Sequence, residues 1–271
     1  MKNQITLNDK MKDINLNIKQ SDIDIYTDNI ERPIFNSDKD FILEETTSQI
    51  YLSEKTDQNE DRKNFFKLFR NFKGNKKNLI LHNNVYTNSN NSDLFKTELI
   101  IPSKFNLANA KNMSLNINST SGNIKVQNLN FERFNINSTS SNVLINNVIA
   151  KDFNSAVTSG NIELNRVKYD KCNIDNTSGN VYIISSIIKD LCIDLSSGNI
   201  TLEDIFLISA NIQNINGDIN ANIIQNMNNY ITSITTVAGS IDQNSPTHYN
   251  DKPNNKITID SIDGNIKVYF K

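Results

Sequence analysis

Apolar and polar residues alternate in short runs that recur every 19 residues through the middle of the chain. Each repeat contains a small polar corner followed by two apolar residues at alternate positions, such as Ile124 and Val126. A second alternating pair, such as Leu115 and Ile117, lies elsewhere in the repeat. Alternation with period two is typical of a strand with one buried face. The pattern therefore predicts at least two short strands in every repeat.

The corner of the repeat predicts how these strands assemble. It recurs at a constant step at Gly122, Ser141, Gly160, Gly179, Gly198 and Gly217. A repeat this short indicates stacked supersecondary units, and short strands gain stability when equivalent strands pair in parallel, about 4.8 Å apart. We therefore expect an all-β fold, a single-stranded parallel β-solenoid (β-helix) with coils of 19 residues. The handedness of parallel crossovers predicts a right-handed solenoid.

The residues at the corner predict a ladder along the solenoid axis. Glycine supplies the positive φ of a sharp turn, so the one serine, Ser141, predicts a strained or reshaped corner. Asn or Asp follows every corner, as at Asn161 and Asn180. We expect these side chains to hydrogen-bond from coil to coil, amide to amide.

The repeat becomes irregular at both ends. The corners at Gly239 and Gly264 follow steps of 22 and 25 residues, which predicts insertions in the last two coils. Residues 14–25 and 41–52 repeat the strand pattern without the glycine, and we interpret them as two degenerate coils. The predicted organisation is irregular N-terminal coils over 1–60, an insertion over 61–98 and regular solenoid repeats over 99–271, in one continuous domain.

The insertion contains a short segment in which basic and aromatic residues alternate. Its candidate membrane or partner contacts are Lys63, Phe65, Phe66, Lys67, Phe69, Arg70, Phe72 and Lys73. On a helix several of these phenylalanines share a face, so the segment could lie on an anionic membrane. The alternative is a loop whose phenylalanines pack over the first coils. Nucleic acid is not an expected partner, because the basic patch is local and the chain has a net charge of −2.

Catalysis is the function that most needs testing, because many parallel β-helices cleave acidic polysaccharides. The candidate acids are Asp175 and Asp194, in one outward column on adjacent coils, with Glu163 and Glu203 elsewhere. No Lys or Arg joins that column, so we expect two solvated acids and no enzyme. His82 and His248 have no partners at ligand spacing, so neither a metal nor another cofactor is expected.

The two cysteines and the hydropathy set further expectations. Register places Cys172 in the core and Cys192 on the outer face, so they should not form a disulfide. No run of apolar residues is long enough for a transmembrane segment, and the N-terminal residues do not resemble a signal peptide. The expected location is cytoplasmic by default, or peripheral to the membrane.

The Ser-Gly-Asn-(Ile/Val) corners, the segment Thr97 to Phe105 and the basic-aromatic insertion together resemble the bacterial putative-adhesin domain family. The resemblance covers about Ile14 to Lys271 and implies a β-strand repeat of unknown function with links to the cell envelope. The predicted function is a non-enzymatic, adhesin-like interaction scaffold. Its partner is an unknown protein, a glycan or a membrane surface. The alternatives are a polysaccharide-active or polysaccharide-binding β-helix and an ice- or surface-binding array, although threonine recurs only once per coil.

Overall fold

A computed structural model describes residues 3–7, 10, 12–46, 48–54, 77–81, 95–103, 113–244, 253 and 255–271 of the chain. These residues form β-strands and one 3-10 helix, Met227–Asn229. In chain order the strands are β1 (Asn3–Thr6), β2 (Asp13–Asp28), β3 (Ile34–Ser37), β4 (Phe41–Glu45), β5 (Gln49–Glu54), β6 (Lys77–Leu81), β7 (Phe95–Pro102), β8 (Ser114–Ser121), β9 (Ile124–Gln127), β10 (Asn130–Ser140), β11 (Val143–Asn146), β12 (Ile149–Ser159), β13 (Ile162–Asn165), β14 (Lys168–Ser178), β15 (Val181–Ile184), β16 (Ile187–Ser197), β17 (Ile200–Asn216), β18 (Ile219–Ile223), β19 (Tyr230–Ala238), β20 (Ile241–Gln243), β21 (Asn255–Asp263) and β22 (Ile266–Phe270).

The strands form two sheets that run the length of the stack. Each regular coil gives an 11-residue strand, such as β12, to one sheet and a 4-residue strand, such as β13, to the other. We call these the long sheet and the short sheet. Equivalent strands pair in parallel with a constant step of one coil, for example Ile174 on Ile193 and Ile162 on Val181. The predicted parallel β-solenoid is therefore confirmed.

The core lies between the two sheets, in columns of equivalent residues. One inward column of the short sheet is buried throughout and consists of Ile124, Val143, Ile162, Val181 and Ile200. In the long sheet, the inward column Ile136, Ile174, Ile193 and Ile212 is buried as well. Ser155 interrupts it between Ile136 and Ile174, and its buried hydroxyl has no hydrogen-bond partner among the described residues. Apolar burial along these columns is the main contribution to stability.

Each regular coil turns sharply at two places. The glycine corner has the predicted positive φ, for example 129° at Gly179. Ser141 is not among the residues with positive φ, so its corner is reshaped, and its hydroxyl lies 2.5 Å from that of Ser138. The second turn follows the short strand and is left-handed at Asn128, Asn147, Arg166, Ser185 and Asp204. The repeat pattern did not predict this turn.

The ladder beside the glycine corner differs from the predicted one. The amide-to-amide bond is present between Asn142 and Asn123, at 3.1 Å. From Asn142 onward, however, each side-chain oxygen accepts the backbone N–H of the next coil, as Asn161 accepts from Asn180 at 2.8 Å. The expectation of a purely side-chain ladder is therefore wrong. A carboxylate oxygen can accept the same bond, which explains why Asp218 fits the column, where it accepts from the backbone N–H of Asn265 at 2.8 Å.

This geometry makes a prediction for Asn161, whose side-chain oxygen accepts the backbone N–H of Asn180. Asn161→Ala should lower the free energy of unfolding by about 0.5–1.5 kcal/mol, because one hydrogen bond is lost. Asn161→Asp keeps an acceptor and should cost less. Glu163→Ala, on the neighbouring strand, is the control and should be nearly neutral. Urea denaturation of the three variants measures the difference. Equal stabilities would show that the ladder does not contribute to the stability of the solenoid.

The N-terminal end is built differently from the regular coils. β2 crosses both sheets and pairs directly with β8 and β9, so residues 14–25 form the first coil, as predicted. Residues 41–52 do not form a second coil, because β4 and β5 pair with each other antiparallel. The long sheet continues beyond β2 with β5, β4 and β6, and the short sheet with β7, β3 and β1.

The C-terminal end reverses the order of the last two coils. β21 and β22 pair directly with β17 and β18, whereas β19 and β20, which precede them in the chain, pair on their far side. The corners therefore stack in the order Gly217, Gly264, Gly239. The stacking order of these two coils is therefore the reverse of their order along the chain. β19 and β20 form the last described rung of the two sheets.

Candidate functional site

The outer surface of the long sheet carries the candidate site, because its outward side chains stack in straight columns. One column is a ladder of amides, in which Asn116, Asn135, Asn154 and Asn173 each donate to the asparagine of the preceding coil at 2.7–2.9 Å. The first acceptor is Asn15. The ladder stops at Cys192, which occupies the next place in the column. A bonded row of amides is a rigid polar surface.

The neighbouring column contains the candidate acids. Asp175 and Asp194 are register partners on adjacent coils, as predicted, and both are exposed. Gln213 follows, and then Asp260, whose carboxylate accepts from the hydroxyl of Thr235 at 2.5 Å. Asp260 was not among the predicted acids, although it lies four residues before the Gly264 corner, as Asp194 lies before the Gly198 corner. Pairing the glycine corner that follows β21 with the corner that follows β17 would have given the register.

An exposed apolar column runs beside the acids at the same end of the sheet. It contains Ile215, Ile262 and Val237, on three successive rungs. Their exposed fractions are 45%, 52% and 84%. In the coils that precede β17, threonines and Ser196 occupy this column. We call the combination of Asp175, Asp194, Asp260, Ile215 and Ile262 the acidic-apolar strip.

The remaining candidate residues do not join the strip. Glu163 and Glu203 lie on the short sheet, where they pair with Tyr182 and Ile184. In the part of the chain that the structure describes, no group of three or more His, Cys, Asp or Glu is arranged to hold a metal ion. His82 and His248 lie outside the described residues. So do the predicted membrane or partner contacts Lys63, Phe65, Phe66, Lys67, Phe69, Arg70, Phe72 and Lys73.

The two cysteines occupy the predicted positions and are both free thiols. Cys172 is completely buried, and Cys192 is partly exposed on the outer face. Burial raises the pKa of the Cys172 thiol far above its usual range. Burial also raises the pKa of Cys192, with a smaller contribution from the carboxylate of Asp194. The thiolate is the reactive form, so accessibility and pKa both favour Cys192 over Cys172 as the reactive thiol.

This difference predicts a labelling result. A maleimide should modify Cys192 in the folded protein at pH 8 and should leave Cys172 unmodified, because its thiol is buried and protonated. Unfolding in urea should expose both thiols. Mass spectrometry of intact protein counts the labels, and Cys192→Ser should take no label while folded. Rapid labelling of Cys172 in the folded variant would contradict its place in the core.

No α-helix with the length and apolar character of a membrane span occurs among the described residues.

A protein-family model described as Toastrack DUF4097 matches residues 3–269. This match confirms the expected family of unknown function. No curated protein has significant sequence similarity to the chain.

The solved structures that are similar to the chain include the following three. The first, described as a "putative lipid binding protein" from Parabacteroides distasonis, has a TM-score of 0.55 at 16% identity, over 98% of this chain and 96% of that one. A "putative adhesin" from Bacteroides fragilis has a TM-score of 0.46 at 11% identity, over 100% and 96%. A "putative cell adhesion protein" from Clostridium sporogenes has a TM-score of 0.31 at 10% identity, over 100% and 99%. At these identities the similarity concerns the fold alone.

Proposed function

The chain belongs to the Toastrack DUF4097 family, and from this premise we propose that it is a non-enzymatic interaction scaffold. The solenoid holds the outer surface of the long sheet in a fixed geometry. The acidic-apolar strip on that surface binds a partner protein. The observation that carries the proposal is the placement of three carboxylates on three of four successive rungs, beside exposed isoleucines on the last two of those rungs.

The composition of the strip selects the chemistry of the partner. Contiguous exposed apolar side chains with a polar rim are typical of interaction sites. Asp175, Asp194 and Asp260 make the rim negative, and the register places no Lys or Arg in their column between Asn118 and Thr235. Electrostatic complementarity therefore favours a protein segment that carries basic side chains beside apolar ones. The same charges would repel an anionic membrane from this face.

Catalysis is a weaker explanation of the same residues. Hydrolysis of a glycosidic bond needs a general acid and a second carboxylate placed on either side of the bond. Asp175 and Asp194 are exposed and lie in one outward column on adjacent rungs of the long sheet. Both carboxylates therefore approach a bound molecule from the same side and not from opposite sides of one bond. We therefore propose binding, not turnover, as the role of the carboxylates.

A defined peptide can test the strip. The sequence of residues 62–77 has seven basic and five apolar side chains and no acidic one, so a synthetic peptide of that sequence has the proposed partner chemistry. We expect it to bind the full chain in a salt-dependent manner, measured by fluorescence anisotropy. The double variant Asp175→Asn/Asp194→Asn should raise the dissociation constant about tenfold or more, because two close charges are lost.

Matched controls separate the strip from the rest of the sheet. Asp152→Asn/Asp190→Asn makes the same charge change in another column of the long sheet and should leave the affinity nearly unchanged. Ile215→Ser should weaken binding, whereas Ile149→Ser, at similar exposure on the same sheet, should not. If the two double variants lose affinity equally, binding depends only on net charge, and the proposed strip is wrong.

The basic-aromatic segment itself allows a second candidate function, docking on an anionic membrane. Its basic side chains would attract the segment to the membrane surface, and burial of its aromatic side chains would hold it there. The full chain should then bind vesicles that contain acidic lipid, and added salt should weaken the binding. Replacing Phe65, Phe66, Phe69 and Phe72 with serine should abolish it. If the segment is instead a loop that covers the first coils, the same replacement should lower the stability of the chain. Neither the native chain nor the variant should then bind the vesicles.

A further inference from the structure

The C-terminal end of the long sheet presents an open strand edge. β19 pairs with β21 from Tyr230 to Ala238, and no other described strand pairs with it. The core continues into this last rung, where Ile234 follows Ile212 and Ile259 in the same inward column. Ile259 is 1% exposed, whereas Ile234 is only partly buried. The end of the core is therefore incompletely covered by the described residues.

This edge lacks the features that normally keep strand edges apart. Soluble proteins protect edges with charged residues, proline, bulges or very short edge strands. The segment Tyr230 to Ile241 contains neither a charged residue nor a proline, and its register with β21 has no bulge. β19 has nine residues. At the other end of the solenoid, the outermost described strands are short, with four residues in β1 and five in β6.

The sequence of β19 is nearly palindromic about its centre. Reading outward from Ile234, Ser233 matches Thr235, Thr232 matches Thr236, and Ile231 matches Val237. Two antiparallel copies centred on Ile234 would therefore place residues of like character opposite each other. Ile231 and Val237 both point outward and are 54% and 84% exposed. A two-fold interface requires this kind of self-complementary patch.

We propose that this edge pairs with the same edge of a second copy of the chain. The two β19 strands run antiparallel about a two-fold axis at Ile234, and the long sheets of the two copies become one sheet. Ile231 of each copy then contacts Val237 of the second copy. Ile234 packs against Ile234 of the second copy, which closes the open end of the core. No like charges face each other across β19, so the pairing costs no electrostatic repulsion.

A charge-swap experiment tests this geometry. Ser233 is exposed and lies one residue from the axis, so two copies of it lie diagonally across the pair, within reach of long side chains. Sedimentation velocity should show a concentration-dependent dimer for the native chain. Ser233→Lys and Ser233→Glu should each raise the dimer dissociation constant at least about tenfold, because like charges meet. Mixing the two variants should restore the dimer, now as a heterodimer.

Controls fix the location of the contact. Thr158→Lys and Thr158→Glu introduce the same charges at an exposed position in the middle of the long sheet and should leave the dimer unchanged. Circular dichroism of each variant checks that the fold is intact. A native chain that stays monomeric at high concentration overturns the proposal, since something else must then cover the edge. Species larger than a dimer, or separate variants whose mixture does not re-form one, also overturn it.

Discussion

Replacing Gly179 with alanine is expected to destabilise the solenoid by more than about 4 kcal/mol. Gly179 has a φ of 129°, which L-residues rarely adopt. A Cβ atom there would lie 2.2 Å from the carbonyl oxygen of Gly160 in the adjacent coil. Both groups are backbone, so neither can move without breaking the hydrogen bonds that join the coils. The cost of backbone strain and the cost of overpacking therefore add. Substitutions that combine such costs have the largest effects on the free energy of unfolding.

Urea denaturation of Gly179→Ala measures this effect, and failure of the variant to accumulate as folded protein would be its extreme form. Thr177→Ala is the matched control, because Thr177 is exposed and lies two residues earlier in the same coil. The control should stay within about 0.5 kcal/mol of the native chain. If the stability of Gly179→Ala is also within that range, adjacent coils are farther apart at this corner than in the structure.

The regular part of the fold was predictable because each coil repeats the same local pattern. Alternation identified the inward residues, and glycine marked the corner that requires positive φ. The second, left-handed turn escaped prediction because Asn128, Arg166 and Ser185 share no residue type. Asparagine tolerates this conformation, whereas arginine and serine adopt it only when the surrounding coils impose it.

The ends of the solenoid were less predictable because their pairing is not local. β21 lies between β17 and β19, and β22 lies between β18 and β20. The sequence does not predict this order, since either order of the last two coils satisfies the same alternation. This choice sets the spacing within the candidate site. It places Asp260 on the rung directly after Gln213, and Ile262 directly beside Ile215. Asp175 and Asp194 themselves were predictable, because they lie one regular step apart.

Truncating Ile174 to alanine is expected to lower the free energy of unfolding by about 2–5 kcal/mol, the usual range for a buried isoleucine. Ile174 is 2% exposed and stacks in its column between Ser155 and Ile193. Ser155 already supplies little volume on one side. The cavity left by the variant therefore has few side chains that can move in to fill it, which favours the upper part of the range. Urea denaturation measures the loss.

Ile187→Ala removes the same atoms from a side chain that is 44% exposed and should cost less than about 1 kcal/mol. Equal losses at the two positions would contradict the assignment of inward and outward columns. The stability of a stacked array depends on its coils and on the interfaces between them. A weakened interface at Ile174 should therefore separate the unfolding of the coils on either side of it. Two resolved transitions in Ile174→Ala, against one in Ile187→Ala, would show that the core column joins the ends of the solenoid into one cooperative unit.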